Sequence, residues 1–219
     1  MPSTPRTSPR TSLYLVTPPL SAAGAGAFGR IFAEALEAAP AACALVRLAP
    51  GSEPHAEAIV APLLRPAMHA GAALLIENDA RLADRLGVDG VHVAGAGENL
   101  SAAIERLKPD RIVGAGALNT RDEAMAAGEM GADYVMFGEP QEGMRAMSPA
   151  SLAERVAWWA EIFETPCVAY AETLEQASEL AGAGADFVAV GQAVWGAASP
   201  AGAAREAQAL ILSVGEAIP

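Results

Sequence analysis

The chain reads as one α/β domain, a single (β/α)8 TIM barrel, and three observations carry that reading. A phrase of the form Gly-x-Asp followed by alternating apolar residues recurs at 87–93, 131–137 and 184–190, its starts 44 and 53 residues apart. That interval suits every second βα unit of a repeating fold. Short apolar runs bounded by turn residues alternate with helical periodicity along the whole chain, with no second block of strands. A length of 219 residues lies within the range of one such barrel, which starts at about 200 residues.

The elements follow in order. Residues 1–12 are rich in Ser, Thr and Pro, carry Arg6 and Arg10 and lack an apolar core. They read as a flexible extension rather than a secretory signal, so the barrel domain occupies 13–219. Strands are expected at 13–17, 43–48, 72–77, 89–93, 111–114, 133–137, 166–170 and 186–190. Helices are expected at 22–39, 53–69, 80–86, 100–107, 121–130, 149–163, 174–181 and 200–214. Ser148-Pro149 and Ser199-Pro200 each place a capping hydroxyl before proline at the first helical position.

In the repeated phrase the glycine closes the preceding helix in the left-handed conformation, and the small residue after it lets helix and strand approach. The three copies are strands four, six and eight. Alternation turns Val91, Val93, Val135, Phe137, Val188 and Val190 toward the helices, and His92, Met136 and Ala189 into the barrel.

Fourteen Lys and Arg against 26 Asp and Glu give a net charge of −12, which excludes a sequence-independent nucleic-acid binder. A phosphate-bearing ligand would need a local cationic site. No apolar run approaches the roughly 18 residues of a membrane span, so a soluble, cytoplasmic protein with no membrane partner is expected. Cys43 and Cys167 fall on strands two and seven, too far apart to bridge, and read as reduced core thiols. Trp158-Trp159 on the sixth helix marks either a homodimer contact or a pair with one ring in the core and one half-exposed.

Active sites of such barrels lie at the carboxyl ends of the strands. There stand Thr17; Arg47; Glu77, Asn78 and Asp79; 95–99; 116–120, including Asn119; 138–145, including Arg145; Tyr170 and 171–173; Gly191 and Gln192. Three have plain structural alternatives. His92 also fits a hydrogen-bonded core histidine, Asp79 a cap for the helix that follows it, and Arg47 a partner for a nearby carboxylate.

At these strand ends the sequence resembles thiamine-phosphate synthase and its TenI-like relatives. The resemblance runs from about residue 13 to 195 and rests on Leu13-Tyr14-Leu15-Val16-Thr17, on Leu75-Ile76-Glu77-Asn78-Asp79 followed by Gly87-Val88-Asp89-Gly90-Val91-His92, and on the last two copies of the repeated phrase. It implies the joining of a pyrimidine diphosphate to a thiazole phosphate with release of pyrophosphate, magnesium neutralising the leaving group, often in a homodimer. By that likeness Asp79 is a magnesium ligand, Asn78 a pyrimidine-side contact, Arg47 a diphosphate contact, and Thr17, Asn119, Tyr170, Gly191 and Gln192 line the substrate.

Several family positions are altered. No aspartate follows His92, and Glu98 stands about one residue out of register for a second metal ligand. Strand two carries Leu45, Arg47 and Ala49 where the family alternates glutamine, arginine and lysine. The loop after strand six is acidic and lacks lysine, leaving Arg145 as the stand-in; the one lysine, Lys108, precedes strand five at the other end of the barrel. Tyr170 and Ala171 replace the paired glycines whose amides receive the thiazole phosphate. Gly116 or Ala117 stands for a serine, and Asn119 for the histidine of the tautomerase branch. Two readings follow: a synthase with a diverged site, or a non-synthase relative acting on another small substrate or serving as a ligand-binding barrel.

Overall fold

The computed structural model describes residues 11–140 and 147–214. Among them are strands β1 (Ser12–Val16), β2 (Cys43–Val46), β3 (Ala73–Glu77), β4 (Gly90–Ala94), β5 (Ile112–Gly116), β6 (Tyr134–Phe137), β7 (Cys167–Ala171) and β8 (Phe187–Val190). Each pairs in parallel with its sequence neighbours, and β8 closes on β1. Around this barrel run α1 (Ala22–Ala38), α2 (Ala56–Ala70), α3 (Ala80–Leu86), α4 (Glu98–Leu107), α5 (Arg121–Met130), α6 (Pro149–Ile162), α7 (Leu174–Gly182), α8 (Gln192–Trp195) and α9 (Pro200–Ser213). The (β/α)8 expectation is met. Of the expected extension, residues 1–10 lie outside the described residues, and Ser12 already belongs to β1.

Parallel strands covered on both faces need apolar residues on both. Val91, Val135, Phe137, Val188 and Val190 pack outward with the helices, whereas Met136 and Ala189 pack inside with Tyr14, Leu45, Leu75 and Val168. The buried ring of His92 meets Tyr134 within the barrel. Cys43 is interior and Cys167 faces the helices; both thiols are free, and burial pushes each up to about 12.

The repeated phrase holds neighbouring strands together through its aspartate, a role beyond the helix-closing glycine. Gly87, Gly131 and Gly184 do adopt left-handed φ values of 68°, 95° and 97°. Two residues on, the Asp89 carboxylate accepts the Leu74 N–H at 2.7 Å while the Asp89 N–H donates to the Leu74 carbonyl at 2.9 Å. Asp133 forms the same reciprocal pair with Val113, and Asp186 with Cys167. Each copy therefore supplies the first N–H groups of the preceding strand with an acceptor, which would otherwise be missing at the barrel's amino end.

Boundaries differ from the sequence reading where tertiary contacts override local cues. β5 runs through Gly114 to Gly116 rather than stopping at the first glycine: a Cβ at Gly114 would lie 2.0 Å from the Tyr134 ring, and one at Gly116 2.2 Å from His92 Nε2. Those glycines make room inside the barrel instead of ending a strand. β2 stops at Val46, with Leu48 in an isolated bridge to Leu20. Helix α4 starts at Glu98 on a Gly97 cap, and a short 3-10 turn, Glu53–His55, precedes α2. The unexpected α8 is pinned by Trp195, whose indole N–H donates to the Val16 carbonyl at 2.7 Å. Ser148 and Ser199 cap α6 and α9 as expected. No helix among the described residues is long and apolar enough to cross a membrane.

Candidate functional site

The strand ends bring most of the expected residues to one mouth. Thr17, just past β1, is buried, and its hydroxyl accepts the Arg47 N–H at 3.0 Å. That bond fixes the backbone after β2 and sends the Arg47 side chain across to β3, where Nε meets Glu77 Oε1 at 3.1 Å. The pair is partly exposed, so its contribution to stability is small. Its effect is to place one guanidinium at the rim with a carboxylate beside it.

Beyond β3 the chain turns through Asn78 at φ 60°, a left-handed conformation that asparagine tolerates better than most residues. Asn78 Oδ1 accepts the Ala94 N–H at 2.7 Å, and its own N–H donates to the His92 carbonyl at 2.7 Å, tying the β3 turn to the end of β4. Asp79 caps α3, its Oδ1 accepting the Leu82 N–H at 2.9 Å. Its second oxygen remains for another partner at an exposed position. Among the described residues no three His, Cys, Asp or Glu side chains gather as they would around a metal. Asp79 is thus a single carboxylate, and a magnesium ion held there would depend on water and substrate phosphate for its other ligands, the usual habit of that ion.

His92 is 1% exposed and bonded at both ring nitrogens. Nδ1 lies 2.8 Å from the Tyr134 hydroxyl, which lies 2.9 Å from that of Tyr14. Nε2 lies 3.3 Å from Glu139 Oε2. The Ala117 N–H donates to the same oxygen at 3.2 Å, from a residue held at φ 53°. Burial acts to raise the Glu139 carboxyl, but the His92 ring, the Arg47 guanidinium and the Ala117 N–H outweigh it and hold the group below its ordinary value. Burial drives both tyrosines well above theirs. The sequence reading singled out neither Glu139 nor the two tyrosines. A signal was present all the same: an acidic residue directly after the glycine that follows β6, with Gly116 of β5 leaving room for it.

Of the remaining expected residues, Tyr170, Gly191 and Gln192 lie together past β7 and β8, and Asn119 stands apart from them. Asn119 is exposed on the β5–α5 turn, where its Nδ2 donates to the Ala117 carbonyl at 3.2 Å. Arg145 lies outside the described residues. Tyr170, near the end of β7, reaches over the end of the neighbouring β8, so that a Cβ added to Gly191 would sit 2.5 Å from its hydroxyl oxygen. Burial raises this phenol against the pull of the Gln192 N–H and Arg47. Barrels of this kind often hold a phosphate between the loops after strands seven and eight and a short extra helix. Here the short α8 follows β8, and the Tyr170 hydroxyl lies against the Gln192 N–H at its start.

Comparison with known proteins bears on this arrangement. The thiamine-phosphate synthase of Hyphomonas neptunium is 38% identical over 98% of this chain and all of its own length. That of Rhodospirillum centenum is 41% identical over 88% of this chain and 92% of its own. Among solved structures, thiamine phosphate pyrophosphorylase from Pyrococcus furiosus superposes with a TM-score of 0.77 at 24% identity, covering 94% of this chain and 97% of that one. The 3-hexulose-6-phosphate synthase of Salmonella typhimurium, at 0.71 and 18% identity over 93% of this chain and all of that one, shares the fold. The family described as thiamine monophosphate synthase matches residues 13–194, a span that takes in all eight strands but for Ser12, together with the residues at their carboxyl ends, and the chain belongs to that family.

Proposed function

We propose that the protein joins a pyrimidine diphosphate to a thiazole phosphate at the carboxyl end of its barrel. The C–O bond to the diphosphate breaks with its electron pair leaving on pyrophosphate, and the lone pair of the thiazole ring nitrogen forms the new C–N bond. The observation that carries this reading is the end-to-end likeness to proteins named thiamine-phosphate synthase, at 38% identity over 98% of the chain. The geometry supports it in one respect: Arg47 is held at the mouth by Thr17 and Glu77, within reach of a leaving diphosphate.

With Glu77 and Glu139 near that arginine, protein charge alone holds a diphosphate weakly. Magnesium belongs in this reading: Asp79 is the residue that would hold it, and the ion would supply positive charge against the leaving group. The partner is a small phosphorylated heterocycle rather than nucleic acid, in keeping with a net charge of −12. A cytoplasmic homodimer completes the reading, its cytoplasmic side supported by two free buried thiols; light scattering tests the dimer.

The decisive experiment incubates the purified protein with both substrates and magnesium and measures pyrophosphate and thiamine phosphate. Equimolar appearance of the two, abolished by chelator, is the expected result. Absence of both products at saturating substrate overturns the reading.

A further inference from the structure

We propose that Glu139 is the specificity-determining group on the floor of this site, accepting an N–H from the edge of an amino-bearing pyrimidine, with His92 as the residue that positions it. The inference rests on the reading above for the identity of the ligand and on the structure for the group that meets it.

Glu139 extends from the end of β6 into the centre of the mouth. Its side chain is 9% exposed, and its charge is felt by Tyr170 on β7 as that of Arg47 is felt by it. Space for it exists because β5 carries glycine opposite: a Cβ at Gly116 would lie 2.5 Å from Glu139 Oε2. The backbone at Ala117 is left-handed although the residue has a side chain, and its N–H is aimed at the carboxylate. Such strain persists only where the surroundings hold it in place.

Both interactions fall on a single oxygen. Oε2 takes His92 Nε2 and the Ala117 N–H, while no hydrogen bond reaches Oε1 among the described residues. Among the described residues no buried side-chain nitrogen or oxygen lacks a partner, so Oε1 is an exposed oxygen, open to the mouth. A carboxylate kept ionised, oriented through one oxygen and open at the other is an acceptor for a planar N–H donor, as carboxylates are for the exocyclic amine of cytosine. Behind it His92 cannot rotate away, because Nδ1 is bonded to Tyr134 and the two rings stack at 5.7 Å between centroids.

A ligand edge of this kind bears on the proposed reaction as well. Where positive charge develops on the heterocycle as diphosphate departs, an anion accepting an N–H from its edge is stabilising. A dianionic phosphate is repelled from the same floor, which leaves it the Arg47 side of the mouth.

The test compares 4-aminopyrimidine with the isosteric 4-methylpyrimidine by ligand-observed NMR titration, without turnover. The wild type is expected to bind the amino compound at least about tenfold more tightly, and Glu139→Gln to reduce that preference below about threefold. His92→Gln, which keeps a donor near the Nε2 position, is expected to retain the preference, and His92→Phe to lose it. If Glu139→Gln fails to give a cooperative melt, Glu139→Asp replaces it and is expected to lose the preference with its charge intact, since the shorter side chain cannot reach. No preference in the wild type, or an unchanged preference in the Glu139 variant, overturns the proposal. Preference without synthesis of thiamine phosphate sinks only the assigned reaction; synthesis with an unchanged preference sinks only the role of Glu139.

Discussion

The Asp186 carboxylate accepts the Cys167 N–H at 2.8 Å while the Asp186 N–H donates to the Cys167 carbonyl at 3.1 Å. One residue thereby closes both backbone groups at the start of β7. Asp186→Ala leaves a buried N–H without its acceptor and is expected to destabilise the fold by about 1–3 kcal/mol, whereas Asp186→Asn keeps an accepting oxygen and loses less. Urea unfolding of the two variants checks this. Equal losses would show that charge, rather than the acceptor, is what matters at this position.

Asp79 both caps α3 and is proposed to bind magnesium, and two substitutions separate these roles. Asp79→Ala removes both and is expected to lower stability by about 0.5–2 kcal/mol. Asp79→Ser restores the cap but not the carboxylate. Its melting point should return toward that of the wild type while the magnesium concentration for half-maximal activity stays raised.

Tyr170 lies over Gly191 and the first N–H of α8. Tyr170→Gly is expected to lower KM for the thiazole phosphate by about three- to tenfold, roughly 0.7–1.4 kcal/mol, by exposing that amide. Tyr170→Phe keeps the bulk and brings no such gain. Steady-state kinetics decide it, and a raised KM in Tyr170→Gly would make the phenol a substrate contact instead of an obstruction.

The Glu139 carboxyl is lowered in the folded protein, so it binds its proton less readily there than in the unfolded chain. Its contribution to stability is present above the ordinary carboxylate value of 4.5 and is lost as pH falls through the lower folded value. His92, Tyr134, Arg47 and Tyr170 are the groups that face it. Urea unfolding between pH 6 and the acid limit, in steps of about half a unit, should show a steeper decline for the wild type than for Glu139→Gln. Parallel curves would place the acid-sensitive group elsewhere.

Much of the scaffold was legible in the chain. Period-two runs marked the strands, proline after serine marked the starts of α6 and α9, and the repeated glycine marked the turns into β4, β6 and β8. These are local signals, set by backbone sterics and by which face of a strand is apolar. Gly114 shows their limit: read locally it ends a strand, yet it lies within β5 because the Tyr134 ring fills the space a side chain would need. Asp89, Asp133 and Asp186 mark another, since the strand each one holds lies 15 to 20 residues earlier in the chain.

The site divides in the same way. That Arg47, Asn78, Asp79 and Tyr170 stand at strand ends, and His92 inside the barrel, followed from counting strands and their alternation. Which of them point at one another did not: Arg47 turning to Glu77, Tyr170 reaching over Gly191, and above all His92 closing on Glu139 across 47 residues of sequence. By itself the sequence determined a closed barrel with an acidic, lysine-poor mouth, because periodicity and composition are properties of the chain. Tertiary structure alone decided that one carboxyl would be held below its ordinary value at the barrel's mouth, because that depends on Arg47 after β2, His92 of β4 and Ala117 after β5 meeting at a single side chain.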